Sequence, residues 1–151
     1  MLDHEYYMDL ALKEAQKAGE LGEIPVGALV VAGSDILAKT HNQNESLGDV
    51  TAHAEILAIT AASQALGSKY LNHCTLYVSL EPCVMCAGAL YWAQLGTLVF
   101  GAWDQKRGYH LYEKKEGKAV GLIHPRTQVI GGIREAESQE ILWEFFRKMR
   151  N

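Results

Sequence analysis

The sequence predicts a three-layer α/β/α sandwich built on a mixed central sheet. Two features carry that expectation: an early β-hairpin, and after it an alternation of short apolar strands with helical segments. A sheet assembled in this way has helices on both faces. The order of its strands does not follow from the pattern.

The elements run as follows. From Tyr6 to Leu21 the residues Tyr7, Leu10, Ala11, Ala15 and Ala18 recur at helical spacing between Lys and Glu, and Gly22 supplies a stop. After Pro25 the run Val26 to Val31 is β-branched and apolar. Ile36 to Thr40 follows across a Gly33-Ser34-Asp35 turn, which makes the pair a hairpin. His41 to Val50 is a polar, turn-rich loop. From Thr51 a helix places Ile56, Ile59, Ala62 and Leu66 on one face and stops at Gly67. Cys74 to Leu80 suits a buried strand. Pro82 is expected to open the next helix, tolerated in a first turn, and the helix continues through Leu95 to Gly96. Thr97 to Ala102 is a further strand and Val129 to Ile133 the last. Between them Trp103 to Gln128 has no clear periodicity, a length that implies a functional loop or unrecognised structure. Ser138 to Met149 closes the chain as an amphipathic helix with Ile141, Leu142, Phe145 and Phe146 turned inward.

At 151 residues, the chain fits one domain spanning residues 1–151, large enough for a core of its own. An apolar fraction of 48% with 21% charged residues excludes a disordered or membrane-spanning chain. The apolar runs Ile24 to Ala32 and Leu90 to Ala93 are too short to cross a bilayer, and Met1-Leu2-Asp3-His4-Glu5 lacks the basic start of a signal peptide. A cytoplasmic location is therefore expected, without a membrane partner. The net charge of -4 is unevenly distributed: residues 1–100 carry 4 Lys/Arg against 11 Asp/Glu, and residues 101–151 carry 10 against 7. The basic end is where a polyanion would bind.

Of the three cysteines, Cys83 and Cys86 form a Cys-x-x-Cys pair, which in a cytosolic chain reads as metal or redox chemistry, with a pair of buried apolar cysteines as the plain alternative. His53-Ala54-Glu55, at another expected helix start, shifts the balance toward metal. Residues two apart on a helix differ by about 200° in direction, so one of His53 and Glu55 ligates and the other acts as acid and base. Three ligands from His53, Cys83 and Cys86 leave a fourth position for water, the arrangement of a catalytic zinc. A structural zinc would need a fourth ligand. The nearest candidates, His73 and Cys74, are separated from Glu81 by an apolar strand.

His53-Ala54-Glu55 together with Pro82-Cys83-Val84-Met85-Cys86 matches the signature of zinc nucleobase deaminases of the cytidine deaminase superfamily. Most of the chain, from Tyr6 to about Ala102 and at its end, resembles the bacterial tRNA-specific adenosine deaminases. The matching stretches are Gly22-Glu23-Ile24-Pro25-Val26-Gly27-Ala28, Ala52-His53-Ala54-Glu55, Thr75-Leu76-Tyr77-Val78, Leu80 to Ala89 and Phe145-Phe146-Arg147. The resemblance implies a cytidine deaminase-like fold, a bound Zn2+ and hydrolysis of adenosine to inosine at the tRNA wobble position. It also implies that Glu55 moves the protons, that Asn42 hydrogen-bonds the purine, and that a helix carrying Phe145 and Arg147 helps hold the anticodon loop in a homodimer.

Two stretches depart from that family. Trp103 stands where many members have Arg, and Tyr109 to Leu122 does not match their Gly-Ser loop. Both lie where RNA contacts are expected, beside Lys106 and Arg107. Trp103, Tyr109 and Tyr112 suit either stacking on unpaired bases or packing beneath a long loop. The basic pairs Lys106-Arg107 and Lys114-Lys115 suit either phosphates or plain solvation. Without the resemblance, Asn42 in a polar loop reads first as a turn cap. The alternative activity is deamination of free guanine or cytosine, because Ala89-Leu90-Tyr91-Trp92-Ala93 is reminiscent of guanine deaminases. A metal-stabilised binding module has no use for Glu55.

Overall fold

The computed structural model describes residues 2–150. Helix α1 (His4–Glu20) starts at Asp3, whose carboxylate accepts the Tyr6 N–H at 3.1 Å and so satisfies one of the first-turn donors. Strands β1 (Gly27–Ala32) and β2 (Asp35–His41) form the expected antiparallel hairpin. A short helix, α2 (Asn44–Leu47), precedes α3 (Ala54–Leu66), β3 (Cys74–Leu80), α4 (Val84–Trp92) and β4 (Thr97–Ala102). A 3-10 turn (Tyr109–Tyr112) and a two-stranded ribbon, β5 (Lys114–Lys115) with β6 (Lys118–Ala119), lead to β7 (Gln128–Ile130) and α5 (Glu135–Met149).

The main sheet has the order β2-β1-β3-β4-β7. β1 pairs antiparallel with both β2 and β3, whereas β3–β4 and β4–β7 are parallel, so the sheet is mixed as expected. Alternate residues of its central strands face opposite layers. Ala28, Val30, Leu76, Val78, Leu98 and Phe100 pack under α3 and α4, and Leu29, Val31, Tyr77 and Val99 pack against α1. Burial on both faces explains why these strands read as continuous apolar runs. The layers approach closely where residues are small. Ala54, Ala58 and Ala62 form the buried stripe of α3, and a Cβ at Gly27 would overlap the Ala11 carbonyl of α1.

Several boundaries differ from expectation. Helix α3 starts at Ala54 and α4 at Val84, because His53 (φ −72°, ψ 152°) and Cys83 (φ −74°, ψ 175°) are extended N-cap residues, not helical ones. Pro82 therefore precedes the helix rather than opening it. The last strand ends at Ile130, since Gly131 packs on Phe100 and Gly132, at φ 88°, turns the chain. In α5, Ile141, Leu142 and Phe145 are half-buried as expected, but Phe146 is exposed, one step beyond the packed face. No helix among the described residues is long and apolar enough to cross a membrane.

Candidate metal centre and active site

The ends of α3 and α4 meet at their N-termini. Neither His53 nor Cys83 uses its side chain to cap its own helix, which leaves the imidazole and the thiol free to converge on Cys86 in the first turn of α4. His53 Nδ1 lies 3.6 Å from Cys83 Sγ and 3.5 Å from Cys86 Sγ. Zinc bonds of about 2.0–2.1 Å to nitrogen and about 2.3 Å to sulfur at a tetrahedral angle give an N···S edge of about 3.6 Å. The two N···S distances are thus those of a tetrahedral zinc site, and the soft sulfur and imidazole donors match that metal. His53, Cys83 and Cys86 can together hold a metal ion, all three ligand atoms lying within 4.8 Å of one another.

The charges at the site favour this role. Cys83 is held down to about 4, first by the hydrogen bond from Cys86 and further by His53 and by the Cys86 backbone, against the effect of burial. Cys86, the donor of that bond, is raised, and so is His53, chiefly by its contact with Cys83. Positive potential at the two helix N-termini supports thiolate at the same place. Glu55, in the first turn of α3, is only 4% exposed. Burial pushes its carboxyl up to about 7, a value at which it can both accept and return a proton near neutral pH. Cys74 and His73, the other ligands considered, stay apart from this group, Cys74 as a buried residue of β3.

A scaffold of buried polar side chains fixes these helix starts. Asn42 Oδ1 accepts the Ala54 N–H at 2.8 Å, and Asn42 Nδ2 donates to the Ile24 carbonyl at 3.0 Å. Asn42 therefore caps α3 from the end of β2 and retains one amide N–H for a ligand. Glu23 accepts the Glu45 and Ser46 N–H groups of α2 at 3.0 and 2.8 Å. Burial opposes its charge, yet these donors hold the carboxyl below its ordinary range. On the other side Glu81, next to Pro82, takes hydrogen bonds from the loop after β4.

Of the residues expected to meet RNA, Lys106, Arg107 and Arg147 fall on exposed surfaces. Lys106 and Arg107 project from the loop after β4, their N–H groups fixed by Asp104 Oδ1 at 3.0 Å each. Lys114 is exposed, and the side chain of Lys115 lies outside the described residues. Phe145 turns toward Gly19 of α1, whereas Arg147 is exposed. Its guanidinium stands 5.1 Å from the ring centre of Trp143, which is 62% exposed and which sequence reasoning passed over. The available signal was an aromatic residue four positions before an arginine on the charged face of α5. Trp103 packs edge-on against Phe100 and His110, with centroids 4.7 and 5.3 Å away, and Tyr109 is buried. Tyr109 supports the loop from beneath, whereas Trp103 stays 39% exposed at its side. Tyr112 is exposed.

The pattern of the MafB19-like deaminases matches residues 2–150. The chain is 44% identical to the tRNA-specific adenosine deaminase of Aquifex aeolicus over 147 residues, covering 97% of this chain and 96% of that protein. Its fold superposes with a TM-score of 0.79 on a structure solved in a study of A-to-I editing by tRNA:A34 deaminases at the wobble position, at 40% identity over 91% of this chain and 99% of the other. A guanine deaminase from Nitrosomonas europaea gives a TM-score of 0.80 at 26% identity, covering 96% of this chain and 85% of that one. With residues 2–150 matched in this way, the chain belongs to the MafB19-like deaminase family, and it is a relative of the tRNA-specific adenosine deaminases.

Proposed function

We propose that this protein is a zinc-dependent hydrolytic deaminase that converts adenosine to inosine at the wobble position of tRNA, acting as a single domain over residues 1–151. The observation that carries the reading is a buried Glu55 in a site where the ligand atoms of His53, Cys83 and Cys86 lie within 4.8 Å of one another, in a chain 44% identical to a tRNA-specific adenosine deaminase.

His53, Cys83 and Cys86 would hold the metal. When bound, zinc supplies the Lewis acidity that brings the pKa of water toward neutrality. Glu55 takes the proton from the attacking water and passes it to the purine ring as the water oxygen adds to the carbon bearing the amino group. It then transfers the remaining hydroxyl proton to the amine, the carbon–nitrogen bond breaks, and ammonia leaves. Asn42 orients the purine with its free amide N–H. Lys106, Arg107 and Arg147 meet the phosphates of the anticodon loop, and Trp143 offers a face to an unpaired base. Phe145 serves this surface by seating α5 against α1.

A second copy of the chain completes the assembly as a homodimer. Leu66, Tyr70, Val84 and Trp92 are exposed apolar side chains that such a partner would cover. A tRNA substrate is compatible with a cytoplasmic enzyme. Free guanine is the competing substrate, favoured by the similarity to the guanine deaminase. The deciding experiment offers the zinc-loaded protein an anticodon stem-loop, free adenosine and free guanine side by side and measures ammonia. Preferential turnover of the stem-loop supports the reading, and preferential turnover of guanine overturns it.

A further inference from the structure

The carboxylate of Glu81 is fully buried, with no charge-bearing role in the chemistry above, and it gathers the loop that follows β4. Its Oε1 accepts the Asp104 N–H at 3.0 Å, and its Oε2 accepts the His110 N–H at 2.9 Å. The His110 ring closes the set, with Nδ1 at 2.6 and 2.8 Å from the two oxygens. A carboxylate only accepts, so Nδ1 carries the proton. The loop between these anchors is drawn tight: a Cβ at Gly108 would overlap the Glu81 carboxylate. Two further links join it to the metal-ligand turn, a bridge between Gly108 and Cys83 and a hydrogen bond from the Tyr109 N–H to the Pro82 carbonyl at 3.0 Å. The Trp103 ring packs nearly perpendicular to the His110 ring, centroids 5.3 Å apart.

Lys106 and Arg107 sit at the tip of this clasped segment, so their placement relative to Cys83 is set by bonds converging on one carboxylate. We propose that Glu81 and His110 form a positioning pair that holds the Lys106-Arg107 loop in register with the metal centre, preorganising the surface that receives RNA. His110 does not touch the reacting atoms. It acts through the loop, and its loss lowers affinity for a polyanionic substrate while leaving the chemical step intact. The kinetic part of this proposal rests on the tRNA reading above; the structural part does not.

The test compares His110→Ala with His110→Asn, whose amide nitrogen can occupy the place of Nδ1 and donate to Glu81. Three quantities are measured: kcat and KM on an anticodon stem-loop, zinc content, and the rate of tryptic cleavage after Lys106 or Arg107 in the folded protein. Losing a hydrogen bond to a charged acceptor should raise KM of the Ala variant by about five- to tenfold, with kcat within about twofold and tryptic cleavage faster by a similar factor. Zinc content stays the same, and the Asn variant returns KM and cleavage rate close to those of the unmodified protein. Unchanged KM and cleavage in the Ala variant overturn the proposal. Failure of Asn to rescue also overturns it, by showing that only ring bulk against Trp103 matters, and so does a fall in kcat at constant KM. If the unmodified protein does not turn over the stem-loop, the tRNA reading fails, and the cleavage rates of the two variants decide the clasp by themselves.

Discussion

Asn42, at the end of β2, caps helix α3 by accepting the Ala54 N–H at 2.8 Å, and Ala54 separates the metal-ligand candidate His53 from the acid–base candidate Glu55. A side chain just past the edge strand thereby fixes the start of the helix that presents both groups. His53, the N-cap residue, keeps its imidazole free because Asn42 takes over the capping. Replacing Asn42 by Ala removes the buried acceptor of the Ala54 N–H, whereas the Ile24 carbonyl keeps the Val26 N–H at 2.8 Å. The cost is about 1 kcal/mol of stability, that of a lost helix cap. Urea denaturation of the zinc-loaded protein checks this, and a change below about 0.5 kcal/mol would show that water replaces the side chain at no cost.

Glu55 tests the division of labour around the metal. Glu55→Ala should leave about one zinc per chain and lower turnover by roughly 10²–10⁴, the usual span for a general acid and base. Zinc content and stem-loop turnover are measured on the same preparation. Loss of zinc in this variant would make Glu55 a ligand and not a proton carrier.

Metal removal probes the triad itself. X-ray absorption on the zinc-loaded protein should show two sulfur scatterers at about 2.3 Å and one nitrogen at about 2.0–2.1 Å, with a light atom completing four-coordination. A chelator should abolish turnover, and added zinc should restore it. Cys86→Ser should weaken zinc retention sharply, because a hydroxyl is a poor substitute for thiolate at a soft site. A third sulfur in the absorption spectrum would implicate Cys74 and contradict the geometry of the triad.

The chemistry and the sheet were legible in the sequence because each has a local signature. Gly22, Gly33 and Gly67 stand at positive φ where turns or helix ends were expected, and the paired motifs around His53 and Cys83 meet in space as their spacing implied. The helix starts were displaced because an N-cap residue has extended backbone, and composition does not distinguish Cys83 as cap from Cys83 as first helical residue. The ribbon of Lys114–Lys115 and Lys118–Ala119 is too short and too charged to show strand periodicity. The Glu81–His110 pair spans 29 positions, and nothing in either local sequence points to the other. Phe146 was misplaced for a different reason: Ser138, Ile141, Leu142 and Phe145 already fill the face of α5 that packs inward, and the next aromatic residue falls outside it.

The outer face of α5 provides the strongest separation of RNA binding from catalysis. Trp143 is exposed with the Arg147 guanidinium 5.1 Å from its ring centre, so cation and aromatic face form one platform; Arg147 Nη2 also donates to Glu144 at 2.7 Å, and its other N–H groups are left for a phosphate. Stacking of a base on such a ring is worth about 1–3 kcal/mol. Trp143→Ala should therefore weaken stem-loop binding by roughly 5- to 150-fold with little change in the salt dependence, because no cation is lost. Arg147→Ala should instead flatten the salt dependence by about one released counterion. The double replacement of Lys106 and Arg107 by Ala should flatten it by about two, with zinc content unchanged in all three variants. Equilibrium binding of a stem-loop at several salt concentrations, alongside turnover of free adenosine, gives both quantities. Free adenosine, which lacks the flanking phosphates and bases, should be a poor substrate that responds to none of these changes. If Trp143→Ala binds the stem-loop as tightly as the unmodified protein, α5 contributes only packing through Phe145. The RNA path then runs along the Lys106-Arg107 loop alone.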